Sequence, residues 1–582
     1  MQINEDSKAI ADAEAAPVPA YPAMPTGAHA VDLDNLPHGY YRSKNFIGSL
    51  IAVCLMADSL YLGYVLPVNS LARINADLGP NTNYSMISTV STLLAGVGIL
   101  PVGRLGDIFG RRYFLIGGQL LALIGSIICC TAKNIPTVIG GSVFVGLSAS
   151  VQLTFTFVIA ELVPNKLRPL VNAGIFVITL PFGAFGGLIA QLLIKNTAQE
   201  WRWDYYLNII TCGLSLILFV FCYFPPGWEA KHKGQTSRLD ELKSFDYLGF
   251  VLYAGGLILI LLGLSWGGNS YAWSSAHVVG VLVVGFIALA VFVIYEIFVP
   301  LSQPLLPMSL LKNRGYSATV CSALVGNMVY FSMSLLWPEA IALLFTTETI
   351  EAGWLSISTG TGVILGEIAG GALMKTIGHT KLQLIVTTIL ITAFSGALAA
   401  INQHRQAYGI AFTAIGGFAV GYLELITLIM CPLYCKPEDI GLASGFLGSA
   451  KQVMGTIATV IYIAILNNRV AATLPSEVSK AALNAGLPKS SLASLFEALS
   501  EGTSMEKITG ITEKIMLAVA DAAKTAYSES FRTVFLVSIT FGALSLIAAL
   551  GSVSVDDKLD NVVAAKLSGA GASQEEIHEE KI

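Results

Sequence analysis

The stretch GRLGDIFGRR, Gly103 to Arg112, decides how the rest of the chain is read. It stands between two apolar runs of about twenty residues each, long enough to cross a bilayer, and gathers Arg104, Asp107, Arg111 and Arg112 into one short segment. Gly103 and Gly110 lack side chains, which lets neighbouring helices approach and the backbone reverse. Asp107 supplies one carboxylate among three arginines, a composition suited to charge-assisted hydrogen bonds. A turn so charged, wedged between helices too apolar for water, is a candidate gate or latch.

Outward from that turn, the 582-residue chain is 54% hydrophobic and only 12% charged, which excludes an ordinary soluble domain. Runs able to cross about 30 Å of hydrocarbon fall at 46–66, 86–103, 113–131, 137–160, 171–194, 205–224, 247–266, 276–298, 317–336, 352–373, 382–401, 407–428, 442–466 and 530–551. An even number of helices puts both chain ends on one side, and the Lys/Arg bias chooses it. Segments on the side of the charged turn carry Arg42, Lys44, Arg104, Arg111, Arg112, Lys166, Arg168, Lys231, Lys233, Arg238, Lys243, Lys312, Arg314, Lys375, Lys381 and Lys436. The opposite short loops carry Arg73, Lys133, Lys195, Arg202 and Arg405. The turn and both termini are therefore expected in the cytoplasm.

The expected organisation is a disordered cytoplasmic tail (1–45), a six-helix bundle (46–224), a cytoplasmic linker (225–246), an inserted two-helix hairpin (247–298), a second six-helix bundle (317–551) and an acidic cytoplasmic tail (552–582). The first tail is acidic and rich in Ala and Pro with no apolar core before Phe46, so it does not read as a cleavable signal peptide. The long segment 467–529 inside the second bundle is expected outside the cell, with amphipathic pieces at 476–485 and 504–519. Gly371 to Gly378 repeats the glycine spacing of Gly103 to Gly110 after another apolar run, but Lys375 stands where the first copy has Asp107. Two related halves are implied, the second copy being structural. The eight cysteines fall in spans or at their ends and suggest no extracellular disulfide framework. A sequon at Asn83 faces outward close to the next span. No nucleophile and base set, metal cluster or phosphate-binding loop is present, so neither an enzyme nor a cofactor or metal is expected, and an ion gradient is the implied energy source.

Ionisable groups at bilayer depth are functional candidates by default. Asp58 lies inside the first span, Glu367 in the tenth and Glu424 in the twelfth; Lys451 in the thirteenth is an ionic partner for either glutamate. Each acid is a candidate for proton coupling, in the order Asp58, Glu367, Glu424; the plainer reading of Asp58 is a hydrogen bond to a neighbouring helix. Glu161 and Arg168, in ELVPNKLRP, join Gly103, Arg104, Asp107, Gly110, Arg111 and Arg112 as gating candidates, or else anchor helix ends at the headgroups. Tyr61, Gln152, Phe155, Tyr330 and Lys451 are candidates for a substrate cavity, alongside Tyr64, Phe182, Phe185, Phe331, Trp337 and Tyr422, many of which pack against neighbouring helices instead. Glu296 and Glu339, near span ends, are expected to reach water.

The turn at Gly103 resembles the cytoplasmic loop between helices two and three of the major facilitator superfamily. ADSLYLGYVLP, from Asp58 to Pro67, followed by Asp77-Leu78-Gly79, is similar to the first-helix motif of the fourteen-spanner drug:proton antiporters. The pattern departs in the fourth span, where Ser142 occupies the place of that family's arginine, and in the fifth, where LPFGAFGG (180–187) replaces its Gly-Pro motif. GYYRSKNFIGS (39–49), ELVPNKLRP, EWRWDYYLNII from Glu200 and YFPPGWE from Tyr223 resemble the fungal trichothecene efflux pump branch, a relative of siderophore-iron transporters. That resemblance implies an all-α membrane protein with the major facilitator fold: fourteen helices, two six-helix bundles plus a two-helix insert, both termini cytoplasmic. It further implies export of a small amphipathic metabolite, toxin or drug by proton antiport at the plasma membrane or the vacuole. A siderophore-iron:proton symporter is the alternative, and a non-transporting metabolite receptor a third reading. The implied partners are a small-molecule substrate, protons and the lipid bilayer, with no nucleic acid.

Overall fold

Among the described residues, fourteen helices are long and apolar enough to cross a membrane: α1 (Lys44–Asn69), α2 (Met86–Phe109), α3 (Arg112–Cys130), α4 (Ile135–Leu162), α5 (Arg168–Asn196), α6 (Arg202–Cys222), α7 (Tyr247–Trp266), α8 (Ala276–Phe298), α9 (Arg314–Phe345), α10 (Thr349–Ile377), α11 (Thr380–Ala400), α12 (Gln406–Leu433), α13 (Ile440–Asn484) and α14 (Glu513–Gly551). The structure, a computed structural model, describes residues 29–32, 40–81, 84–225, 243, 245–268, 271–299, 301, 303–346, 348–436, 439–501, 510–560 and 562–565. Asn83 and most of the linker lie outside the described residues.

Polar residues just ahead of the apolar runs start several helices. Ser43 accepts from Phe46 N–H at α1, Asn134 from Thr137 N–H at α4, Asp246 from Gly249 N–H at α7 and Asn313 from Gly315 and Tyr316 N–H at α9. Each satisfies an otherwise orphaned donor, about 1 kcal/mol per cap. Within α4, Leu153 and Thr154 interrupt the regular helix, and Thr154 Oγ1 donates back to Val151 O at 2.6 Å.

Helices α1 to α6 pack on one another, as do α9 to α14; the two sets meet chiefly where α2 packs on α13 and α5 on α10. Small residues make the tightest seam, between α10 and α12, where a side chain on Gly366 or Gly421 would strike the facing backbone at Phe418 O or Val363 O. Helices α7 and α8 pack on each other and reach the rest through contacts of α7 with α2 and α13. Tyr253 of α7 hydrogen-bonds Ser449 of α13, whose hydroxyl donates to Gly96 O of α2. The outer face of α8 exposes Val283, Phe286, Ile287 and Ile294, as a lipid-facing helix does.

Three expectations are corrected. The described part of segment 467–529 is not a loop with surface pieces: α13 continues through Pro475 to Asn484, and α14 begins at Glu513, while the start of the expected piece 504–519 lies outside the described residues. At about 1.5 Å per residue, the 45 residues of α13 extend well past a bilayer. The two extensions and the helix Leu492–Glu501 bury Val478, Ala482, Leu487, Leu495, Ile515 and Val519 in a core of their own. Nor do residues 552–560 form a solvated tail; residues 566–582 lie outside the described residues. Val555 is buried, and His29–Asp32 pairs antiparallel with Val562–Ala565. Glu296 is buried rather than wet, accepting a hydrogen bond from Leu306 N–H at 3.1 Å.

Candidate functional site

Most of GRLGDIFGRR is helix rather than loop. Helix α2 runs to Phe109, and the reversal falls on Gly110 alone, whose φ of 86° a side chain would disfavour. Arg111 follows at the start of α3. Gly103 brings α2 against the first turn of α13: a Cβ there would lie 2.3 Å from Gly441 O. One turn on, Asp107 accepts from Gly441 N–H at 3.1 Å and Leu442 N–H at 2.9 Å, capping α13 from across the molecule. Helix N-termini favour anions, so the carboxylate holds the end of α2 to the start of α13.

Arg111 neutralises this buried acid. Its Nη2 lies 2.9 Å from Asp107 Oδ1 and its Nε 2.9 Å from Glu161 Oε1, with all three side chains nearly excluded from water. Arg104 pairs with Asp439, just before α13, at 3.3 Å. Two gating candidates sit elsewhere. Arg112 donates to Val220 O and covers the Phe224 ring at 3.9 Å, holding α3 to α6. Arg168 donates to Val163 O and lies in the field of Asp560 and Glu161. Asp439 and the N–H groups of Gly441 and Leu442 had no local signal in the sequence, because their partners are more than three hundred residues away.

The second glycine pair occupies the equivalent place. Gly378 has φ 62°, and a Cβ on Gly371 would lie 2.3 Å from Pro169 O at the start of α5. The close approach of α10 to α5 thus mirrors that of α2 to α13, without the carboxylate.

Deeper between the halves, Glu424 of α12 pairs with Lys451 of α13. Glu367 of α10 is buried within electrostatic reach of both, and its Oε2 has no hydrogen-bond partner among the described residues. Tyr61 of α1 faces this group from the other half, within reach of Glu367, Glu424, Tyr330 and Asp58. Tyr330 of α9 lies beside Phe331, and Asn327 Nδ2 donates to Lys451 O at 2.9 Å. The structure therefore brings together Glu367, Glu424, Lys451, Tyr61 and Tyr330. Asp58 is also buried, with Oδ1 unpartnered among the described residues, but on the α1 side of the group.

Other candidates do not converge there. Gln152 is buried among α1, α3 and α4, its amide donating to Ser59 Oγ at 2.9 Å and Gln119 Oε1 at 3.2 Å. That network continues through Ser59 to Asn208 and through Asn208 to Ser126, so it holds the first helices together rather than presenting an amide to a ligand. Phe155 packs edge-on against Phe176, and Trp337 is fully buried, donating to Leu355 O.

At the far end of the molecule, Asp77 receives Trp201 Nε1–H and Arg202 Nη1–H, each at 3.0 Å, and Arg73 pairs with Glu200 at 2.5 Å. The Asp77-Leu78-Gly79 turn and EWRWDYY thus form one clasp between the helix Leu71–Asp77 and the start of α6. Asp204, wholly buried and bonded to Ser70 Oγ at 2.6 Å, belongs to it. Burial raises the pKa of Asp77, but its bonds to Trp201 and Arg202 outweigh this and leave it below the ordinary value of 3.8.

Comparisons with known proteins place this geometry. The fold matches the human organic anion transporter MFSD10 over 85% of this chain and 98% of that one, with a TM-score of 0.50 at 11% identity. In sequence the chain is 31% identical to the trichothecene efflux pump TRI12 of Fusarium sporotrichioides, covering 90% of this chain and 89% of that protein. It is 28% identical to TRI12 of Trichoderma arundinaceum (93% and 92%) and 29% identical to the MFS-type transporter prx5 of Penicillium rubens (94% and 98%). The family model of the fungal trichothecene efflux pump matches residues 11–580. With fourteen membrane-length helices, a charged turn capping the opposite half and ionisable groups deep between the halves, the chain belongs to the fungal trichothecene efflux pump family of major facilitator transporters.

Proposed function

We propose that this transporter exports a bulky amphipathic metabolite or toxin in exchange for protons, by rocking of α1 to α6 against α9 to α14 about the central group of side chains. The observation that carries the reading is Glu367, a buried carboxyl with one oxygen unpartnered among the described residues, placed beside the Glu424–Lys451 pair and facing Tyr61 of the opposite half. A proton taken by Glu367 removes a charge next to Glu424 and leaves Lys451 more firmly paired, so protonation and the arrangement of the cavity are linked. Asp58 is the second coupling candidate and Glu424 the third. Tyr61, Tyr330 and Phe331 offer flat apolar faces to an amphipathic ligand, and the two tyrosines add hydroxyl ends. The face carrying Asp107 is cytoplasmic in this reading, in line with the Lys/Arg bias, and the described conformation is the one shut on that side. The plasma membrane is the proposed location, where efflux clears the cell. Relatives named as efflux pumps support the outward direction over siderophore uptake.

The test is cellular accumulation of a labelled trichothecene and of a labelled ferric siderophore in yeast expressing the protein, with and without a proton uncoupler. Lower trichothecene accumulation that the uncoupler abolishes is expected. Raised siderophore uptake with the same dependence would make the protein an importer, and no change in either would favour a receptor.

A further inference from the structure

The second glycine copy lacks its acid, and the end of the chain brings two carboxylates, Asp556 and Asp560, to the same face. Leaving α14 at Gly551, residues 552–560 cross the face that carries Asp107. Val555 is buried, its N–H donates to Thr380 Oγ1 at 3.0 Å, and Asp556 Oδ1 accepts from Thr380 N–H at 3.1 Å, capping α11 immediately after the Gly378 turn. Ser554 links Thr380 Oγ1 and Asp556 Oδ2. Lys558 Nζ donates to Leu433 O at 2.9 Å over the Tyr434 ring, and Tyr434 donates to Val553 O. All of these anchors belong to the second half.

The next contacts lie on the first half. Asp560 Oδ1 accepts from Asn165 Nδ2 at 2.6 Å, and Asp560 O accepts from Lys166 N–H at 2.8 Å, in the turn between α4 and α5. The carboxylate lies in the field of Arg168, the first residue of α5, whose neighbour Pro169 meets Gly371. Beyond it, Val562–Ala565 packs against the last turns of α4 and pairs with His29–Asp32.

We infer that residues 552–560 form a strap joining the two halves across this face, with Asp560 serving at the α10–α5 contact the role that Asp107 serves at the α2–α13 contact. The face is then held shut at two pseudo-symmetric points, one tied by a residue of α2 and one by the chain end, and the strap must release Asn165 and Lys166 before this side opens. This rests on the reading that the halves rock, but its test does not require a known substrate.

Cys435, half-buried beside this gate at the end of α12, reports opening. The full-length protein in lipid nanodiscs is treated with a membrane-impermeant maleimide, and the rate at Cys435 is read by peptide mass spectrometry. Asp560→Ala and, separately, Asn165→Ala are each expected to raise that rate about threefold or more, the scale of one lost hydrogen bond. A reducible Asn165→Cys/Asp560→Cys cross-link is expected to lower it below wild type, with reductant restoring it. Unchanged labelling in both single variants, or a cross-link that leaves the rate at the wild-type value, overturns the strap. The reading of the protein as a proton-driven exporter stands or falls separately, on flux.

Discussion

At the scale of single residues, Arg111 is the most consequential side chain on the gated face. It balances Asp107 and Glu161 with almost no access to water. Removing one partner of a buried ion pair costs about 3–5 kcal/mol, because the remaining charge is left unpaired. Arg111→Ala is expected to lower the thermal unfolding temperature in detergent sharply, and Glu161→Gln added to it to recover part of the loss. Equal unfolding temperatures for wild type and Arg111→Ala would refute the arrangement. The charged members of this cluster were legible in the sequence, since GRLGDIFGRR and ELVPNKLRP name them. Their partners were not: nothing near Asp107 indicates that it caps a helix beginning at Ile440, and Arg112 and Gln152 look as available for function as their neighbours until the packing shows them occupied.

At the scale of elements, hydropathy located the fourteen helices, and the differences lie at their ends. Residues 467–484 and 513–529 are too polar to count as membrane span, yet they continue α13, which tolerates the ladder bond missing at Pro475, and α14, because their own small core covers one face. Leu495→Ala is expected to cost about 2–5 kcal/mol of local stability. Hydrogen exchange should then quicken within 467–529 while α10 and α12 stay protected; quickening throughout the protein would mean that the hairpin is not a separate packing unit. The clasp at Asp77 has a predictable pH response. Its pKa is depressed in the folded protein, so its stabilising contribution is present above the unfolded value of 3.8 and is lost as pH falls through the lower folded value. The contribution is small, as Asp77 is about one third exposed. The difference in unfolding temperature between wild type and Asp77→Asn should therefore shrink as pH is lowered below 3.8; a difference that widens would contradict the bonding to Trp201 and Arg202.

At the scale of the whole molecule, the glycine repeat at Gly103 and Gly371 announced two related halves, and both copies do mark close contacts of one half with the other. The sequence could not announce that the chain end supplies the second acid, since Asp560 sits in an acidic run that reads as solvated and its partners precede it by nearly four hundred residues. Nor does hydropathy rank the buried acids. Asp58 stands out in the sequence because a motif surrounds it, whereas Glu367 gains its importance from the convergence of α1, α9, α10, α12 and α13, which only the fold provides. The central claim is that Glu367 couples protons to export. The most direct test is transport of a tritiated trichothecene into proteoliposomes under an imposed pH gradient, by wild type and by Glu367→Gln. The account predicts that the gradient accelerates wild-type flux and leaves Glu367→Gln with gradient-independent exchange only; a Glu367→Gln protein driven by the gradient as strongly as wild type would contradict it.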